Sequence, residues 1–297
     1  MNFLRRLFTS PKTDTPSAAP SESHELEPHR AGGINHLPFG LHIGHLTNIG
    51  QVRERNEDAL FTVESLVQYD YGYELFGLLI VADGMGGHQK GDVASAVAAR
   101  ATANHILKDI YLPCLLANSQ ASTPPPLNEV LVSSVQKTNA LVQQMVPEGG
   151  TTLTAALVMG HNAYIAHVGD TRAYFFNQNK LKQVTQDHSL AQRLREIGQA
   201  TPEQLAQVEH VLYRAIGQGS QVEVDTYIQH LPPGSSLLLC SDGLWKGINN
   251  DDTICELINT SATPQEACER LIAAANQNGG EDNITSIIVS MGMEDQD

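Results

Sequence analysis

The sequence contains only four cysteines in 297 residues, and no two of them form a Cys-x-x-Cys pair. This scarcity argues against a disulfide framework and against a cysteine-ligated zinc site. No apolar stretch reaches the roughly 18 residues that a transmembrane helix needs. Lys and Arg number 18 against 33 Asp and Glu, which argues against a nucleic-acid partner because phosphate backbones require clustered cations. These absences predict a cytoplasmic protein without a transmembrane segment.

The remaining composition predicts one folded domain with short extensions. Hydrophobic residues make up 41% of the chain, which is enough for a sizeable core. Residues 1–40 are rich in Pro, Ser, Thr, Glu and His, a composition that does not repay the entropy cost of ordering. We therefore expect a disordered leader over 1–40, the domain over 41–293 and a short acidic tail over 294–297.

A glycine-rich segment, Asp83-Gly-Met-Gly-Gly-His88, follows the apolar run Phe76–Ala82. The run predicts a buried strand, and a helical pattern begins near Asp92. Glycines allow a ligand to approach the backbone closely, and a carboxylate at the strand tip offers an oxygen donor. The spacing imitates a phosphate-binding loop, but Asp92 stands where that motif requires lysine. The segment therefore favours a metal ion over a nucleotide phosphate.

The arrangement of strand and helix patterns indicates the fold class. Strand patterns between residues 151 and 185 are separated by such short turns that the strands must be antiparallel. Because strands occur in runs and helices in separate groups, we predict an α+β fold rather than a doubly wound one. The predicted helices are 93–112, 127–146, 190–197, a short helix from Thr201, 251–259 and 267–276.

Five segments place a carboxylate beside Gly or Asn at the tip of an apolar strand. Each segment alone is more typical of an ordinary turn. If the tips meet, carboxylates about 4 Å apart repel by roughly 4 kcal/mol at an effective dielectric constant of 20, so protons or divalent cations must hold them together. The segments are Arg53-Glu-Arg-Asn-Glu-Asp58, Val81-Ala-Asp-Gly84, Val168-Gly-Asp170, Cys240-Ser-Asp-Gly243 and Gly279-Gly-Glu-Asp-Asn283.

Oxygen ligands without cysteine or paired histidine favour Mg²⁺ or Mn²⁺ over Zn²⁺. The carboxylates exceed the need of one ion, so we predict two ions, or three. Two neighbouring ions of this kind convert water to hydroxide for in-line attack on phosphorus. Arg53 is the candidate for binding a substrate phosphate because a guanidinium fits phosphate oxygens, although a surface ion pair is an equally good interpretation of that residue.

Seven motifs occur in a characteristic order: Arg53-x-x-Asn-Glu-Asp58, Asp83-Gly-Met-Gly-Gly-His88, Gly150-Thr-Thr152, Val168-Gly-Asp-Thr-Arg172, Thr185-x-Asp-His-Ser189, Ser241-Asp-Gly-Leu-Trp245 and Glu281-Asp-Asn283. With them the chain resembles the bacterial form of the metal-dependent protein serine/threonine phosphatases of type 2C over residues 42–292. The resemblance implies a four-layer αββα sandwich with two central antiparallel β-sheets. It also implies hydrolysis of phosphoserine and phosphothreonine by water activated at a dinuclear Mn²⁺ or Mg²⁺ centre, reversing a Ser/Thr kinase in signalling.

The resemblance also implies roles for individual residues. Arg53 would bind the substrate phosphate, and Glu57 would act through metal-bound waters. Asp170 together with Asp242 would offer the site of a third ion. The ligands of the first two ions would be Asp58, Asp83, the carbonyl of Gly84, Asp242 and Asp282.

Two features depart from the family pattern. Met85 stands where the animal branch has the histidine proposed as the acid for the leaving group. The nearest histidine, His88, is a candidate for that role, and a structural hydrogen bond is the alternative. The segment Ile197–Gly219 corresponds to the family's flap beside the site, and its Val211-Leu-Tyr-Arg-Ala-Ile-Gly217 differs from that of related bacterial proteins.

The expected partners are phosphorylated protein substrates and a cognate Ser/Thr kinase, with the chain acting as a monomer. One alternative is a phosphatase dedicated to a single regulatory phosphoprotein of the anti-sigma type. Another is a catalytically silent module that binds phosphoproteins in the same cleft.

Overall fold

The computed structural model describes residues 33–34, 37–69, 72–86, 90–116, 126–198 and 200–293. The predicted leader up to residue 32 and the predicted tail, 294–297, lie outside the described residues. At the end of the predicted leader, Ile34 is 1% exposed and its N–H donates to the carbonyl of Ser261. Ile34, near the end of that stretch, therefore packs on the domain.

Two antiparallel sheets form the centre of the described domain, as predicted. The first sheet has the strand order β1 (Leu41–Asn48), β11 (Ile284–Met291), β10 (Ser236–Cys240), β7 (Arg172–Asn177) and β8 (Lys180–Gln183). The second has the order β2 (Asp58–Tyr69), β3 (Gly72–Met85), β5 (Leu153–Met159), β6 (Asn162–Val168) and β9 (Asp225–His230), and the short β4 (Gly150–Thr151) pairs with the end of β3.

Side-chain alternation along the strands explains why the two sheets stack. On β3, Leu78 and Ile80 pack towards the helices of one outer layer, whereas Leu79 and Val81 pack towards the other sheet. Successive side chains of a strand point to opposite faces, so a strand that is apolar on both faces must be covered on both. The apolar run that predicted a buried strand thus lies in the middle of the sandwich.

The helices cover the outer faces of the two sheets. Helices α1 (Lys90–Ile106) and α3 (Leu127–Met145) pack on the second sheet. Helices α6 (Asp242–Ile248), α7 (Asp251–Asn259) and α8 (Pro264–Gln277) pack on the first. The remaining helices are α2 (Leu112–Leu116), α4 (Leu190–Glu196) and α5 (Pro202–Gln207). The predicted α+β architecture of two antiparallel sheets with flanking helices is confirmed.

Three elements differ from the sequence predictions. The predicted helix 93–112 changes to a π-helical turn over Leu107–Tyr111, next to Pro113, which lacks the N–H of a regular helix. The apolar pattern over 222–230 predicts a strand from Val222, but strand β9 begins only at Asp225. Helix α6 was not predicted, because two glycines among its seven residues weaken the helical pattern. Within the described ranges, no helix has the length and apolarity needed to cross a bilayer.

Candidate active site

The strand tips meet around a cleft of about 610 Å³. Antiparallel pairing brings the start of β2 beside the end of β3, and the start of β11 beside the end of β10. Segments that are distant in sequence therefore reach the same edge of the sandwich. The acidic residues that line the cleft are Glu54, Glu57, Asp83, Asp170, Asp242 and Asp282.

Asp58 and Asp83 are paired residues on adjacent strands. The Oδ2 atom of Asp58 accepts hydrogen bonds from the hydroxyls of Ser241 at 2.8 Å and Thr285 at 2.7 Å. Burial raises the pKa of Asp58 to about 7, although these two hydroxyls lower it. Burial also raises the pKa of Asp83 well above its usual range, and the charges of Asp242 and Asp58 raise it further. Without cations, these carboxylates disfavour each other's charge.

The backbone around Asp83 is fixed by two threonines. Thr152 Oγ1 accepts from the N–H of Asp83, and Thr151 Oγ1 donates to the carbonyl of Asp83, both at 2.9 Å. A Cβ atom on Gly84 would lie 2.2 Å from the carbonyl oxygen of Gly91. Only glycine therefore allows the strand end to pass this closely beneath the start of α1.

Asp170 enters the cleft from the turn after β6. The preceding Gly169 has φ +114°, a conformation that favours glycine. The side chain of Asp170 is 7% exposed. Burial, followed by the charge of Asp242, raises the pKa of Asp170 to about 7, against the charge of Lys246. The indole N–H of Trp245 donates to the Asp170 carbonyl at 3.1 Å and holds the turn in place.

Asp242 and Asp282 come together because helix α6 starts directly beside the loop before β11. A Cβ on Gly243 would lie 2.1 Å from the carbonyl oxygen of Asn283, so this approach requires glycine. Each carboxylate has a cationic partner. Arg53 Nη2 lies 2.7 Å from Asp282 Oδ2, and Lys246 Nζ lies 2.6 Å from Asp242 Oδ2.

Asn283 fastens the segment that carries Arg53, Glu57 and Asp58. Its Oδ1 accepts from the N–H of Glu57 at 2.8 Å, and its Nδ2 donates to the carbonyls of Ile49 and Arg55, both at 2.9 Å. Burial raises the pKa of Glu57, and the charge of Arg53 lowers it. A single amide side chain thus connects two loops that are more than 220 positions apart.

The donor set fits hard divalent cations. Asp58 Oδ1 and Asp242 Oδ1 are buried, and neither has a hydrogen-bond partner among the described residues. Buried oxygens of this kind are costly unless a proton or a cation compensates them, and an all-oxygen set suits Mg²⁺ or Mn²⁺. Across the described ranges, no three His, Cys, Asp or Glu side chains already form a ligand cluster; Asp282 and Asp242 are instead paired with Arg53 and Lys246.

The structure places nearly all predicted site residues together. Arg53, Gly84 and the acidic residues lie in or beside the cleft, whereas His88 lies outside the described residues. Two contributors were missed. Lys246 could be found only once α6 was known, because the helix places it one turn after Asp242. Asn283 belongs to the motif Glu281-Asp-Asn283, but its role in fastening the Arg53 segment depends on hydrogen bonds to residues distant in sequence.

The segment Ile197–Gly219 borders the cleft. His210, Leu212 and Gln218 from this segment line it. Backbone hydrogen bonds join Leu190 to Val211 and Ile216 to Thr151 on either side. A molecule that enters the cleft towards the carboxylates therefore meets side chains of this segment.

Comparison with known proteins agrees with this geometry. The chain matches the sequence model of Protein phosphatase 2C over residues 44–284. It is 34% identical to the serine/threonine phosphatase stp of Listeria monocytogenes over 257 residues, which are 84% of this chain and 95% of that protein. It superposes on the Mycobacterium tuberculosis serine/threonine phosphatase PstP/Ppp with a TM-score of 0.68 at 30% identity, covering 85% of this chain and 99% of that one. For the catalytic domain of PstP in complex with two manganese ions, the TM-score is 0.65 at 30% identity, with coverage of 85% and 99%.

Proposed function

Since the chain belongs to the protein phosphatase 2C family and is a protein serine/threonine phosphatase, we propose that it uses a dinuclear Mn²⁺ or Mg²⁺ centre to hydrolyse phosphoserine and phosphothreonine in proteins. The main support for a dinuclear centre is that several carboxylates line one cleft. In addition, Asp58 Oδ1 and Asp242 Oδ1 are buried and have no hydrogen-bond donor among the described residues. The residues that would hold the ions are Asp58, Asp83, the Gly84 carbonyl, Asp242 and Asp282, with Glu57 beside them.

When bound, such ions would activate water as a nucleophile and stabilise the charge that develops on the phosphoryl group. The chain itself supplies position and charge. Thr151 and Thr152 fix the backbone of Asp83, which lines the cleft. Arg53, whose side chain is half exposed at the cleft, offers N–H donors to the phosphate oxygens.

The test is hydrolysis of an aryl phosphate and of several phosphoserine and phosphothreonine peptides with Mn²⁺, before and after chelation. We expect hydrolysis of both substrate types, its loss with a chelator and its recovery with added Mn²⁺. Hydrolysis of a single phosphoprotein alone would support a dedicated phosphatase of one regulator. Binding of Mn²⁺ and phosphopeptide without turnover would support a silent binding module and contradict the proposal.

Arg53→Ala is expected to weaken phosphate binding more than turnover. A charge-assisted hydrogen bond contributes about 1.5–3 kcal/mol, so the Michaelis constant for a phosphopeptide should rise roughly tenfold to a hundredfold. The matched control is Arg55→Ala, because Arg55 lines the same cleft but its carboxylate partner, Asp92, lies 4.0 Å away. Steady-state kinetics with Mn²⁺ measure both variants, and an unchanged Michaelis constant for Arg53→Ala would remove Arg53 from this role.

A further inference from the structure

A lysine lies between two carboxylates of the cleft. Lys246 is on α6, one turn after Asp242, and its Nζ donates to Asp242 Oδ2 at 2.6 Å. The same Nζ lies 3.8 Å from Asp170 Oδ2. Asp170 and Asp242 are the two residues that the family resemblance implied as ligands of a third ion. A fixed ammonium group therefore stands at the carboxylate pair where that ion was expected.

The surroundings of Lys246 keep its ammonium group in this position. The side chains of Lys246 and Asp242 are 29% and 16% exposed, so their ion pair is largely shielded from solvent. The ammonium lies 5.0 Å from the Trp245 ring centroid, a favourable place for a cation. The guanidinium of Arg172 also lies over the Trp245 ring, 3.4 Å from its centroid.

Arg172 and Trp245 are themselves fixed. Arg172 Nη2 donates to Asp187 Oδ2 at 2.7 Å, and its Nε donates to Asp187 Oδ1 at 2.9 Å. The Trp245 indole donates to the carbonyl of Asp170. The helix, the indole and the turn at Asp170 thus form one packed unit around Lys246, which differs from a mobile surface lysine.

We propose that Lys246 takes the place of a third divalent ion, so that this phosphatase binds two ions and neutralises the pair Asp170 and Asp242 with its own ammonium group. The proposal rests on the proposed dinuclear function. Lys246 Nζ lies on Asp242 Oδ2 and near Asp170 Oδ2, so an ion bound by these two oxygens would lie close to the ammonium, and like charges repel strongly in a shielded site. Asp242 Oδ1, which has no hydrogen-bond partner among the described residues, stays available to an ion of the dinuclear centre. The charge of a lysine does not depend on the divalent-ion concentration. The negative charge of Asp170 therefore stays neutralised when less metal is available.

Substitutions at Lys246 separate its charge from its packing. Lys246→Ala removes the cation and retains a good helix former. Lys246→Asp removes the cation and adds an oxygen ligand, whereas Lys246→Arg keeps a positive charge. The matched control is Lys137→Ala, because Lys137 forms a half-exposed pair with Asp109 at 3.4 Å on another helix. Circular dichroism and thermal unfolding establish that each variant is folded before ions are counted.

The experiment is equilibrium dialysis of the full chain against Mn²⁺ up to millimolar concentrations, with bound metal counted by elemental analysis. We expect two ions per chain for the wild type, Lys246→Arg and Lys137→Ala. For Lys246→Ala and Lys246→Asp we expect a third ion, bound at least tenfold more tightly than any third ion in the wild type. Equal third-ion binding in the wild type and both variants would overturn the role of Lys246 and leave the dinuclear function intact. A wild type that binds no Mn²⁺ would overturn the proposed function and this inference with it.

Discussion

Asp242→Asn is expected to reduce phosphatase turnover roughly a thousandfold while leaving the protein folded. Metal ions and their anionic ligands supply several kcal/mol of transition-state stabilisation, and each 1.36 kcal/mol corresponds to a factor of ten. The amide retains the shape of the side chain but loses the charge that would hold an ion. Folding should be preserved because the change removes one of the mutually repelling carboxylates around Asp83.

The control for this variant is Asp252→Asn. Asp252 lies in the first turn of α7, as Asp242 lies in the first turn of α6, so both changes remove a favourable helix-dipole interaction. Asp252 is not among the residues that line the cleft. The measurements are turnover on a phosphopeptide with Mn²⁺ and thermal unfolding with a chelator. Turnover of Asp242→Asn within threefold of the wild type would contradict the assignment of Asp242 as a metal ligand.

The apparent affinity for Mn²⁺ is expected to increase about a hundredfold between pH 5 and pH 7. Burial raises the pKa of Asp58 to about 7, so in this range an ion must displace a proton from Asp58. Each displaced proton changes the apparent affinity about tenfold per pH unit below the pKa. The pKa of Asp83 is also raised, which makes the dependence steeper. Calorimetric titration with Mn²⁺ at several pH values measures it, and a pH-independent affinity would contradict it.

Mn²⁺ affinity is a better measurement than the stability of the fold, because Asp58 and His167 change stability in opposite directions as the pH rises. The raised pKa of Asp58 stabilises the metal-free fold below about pH 4, and that contribution is lost as the pH rises to about 7. Burial lowers the pKa of His167 to about 3. Neutral His167 therefore adds stability as the pH rises from about 3 to 6.5. Asp252→Asn again serves as the control and should leave the pH dependence of Mn²⁺ affinity unchanged.

Local patterns in the sequence predicted most of the secondary structure. Helix α5 begins at Thr201, as predicted, with a capping box in which Thr201 and Gln204 bond to each other's backbone N–H groups. These signals are reliable because the interacting atoms are only three residues apart. Helix α6 was not predicted because it is stabilised by tertiary contacts and not by interactions between residues close in sequence. Its stability comes from Leu244 and Ile248, which are buried against α8 and the first sheet, whereas Gly243 and Gly247 weaken its local signal.

The chemistry of the candidate site was also contained in the sequence. Carboxylates at strand tips, next to glycines, indicated hard cations before any distance was known. What the sequence did not contain is the partner of each charge. The ion pair of Arg53 with Asp282 joins positions 229 apart, and the bonds from Asn283 to Glu57, Arg55 and Ile49 join positions 226 to 234 apart.

The sequence by itself determined most of the strands and helix starts, the acidic character of the site and the family. These depend on contacts within a few residues and on the order of the motifs. Only the tertiary structure decided that Lys246 stands between Asp170 and Asp242, and that Asn283 fastens the Arg53 segment. Such pairings depend on strand register and on how closely α6 approaches the neighbouring loop, and no local interaction fixes either of these.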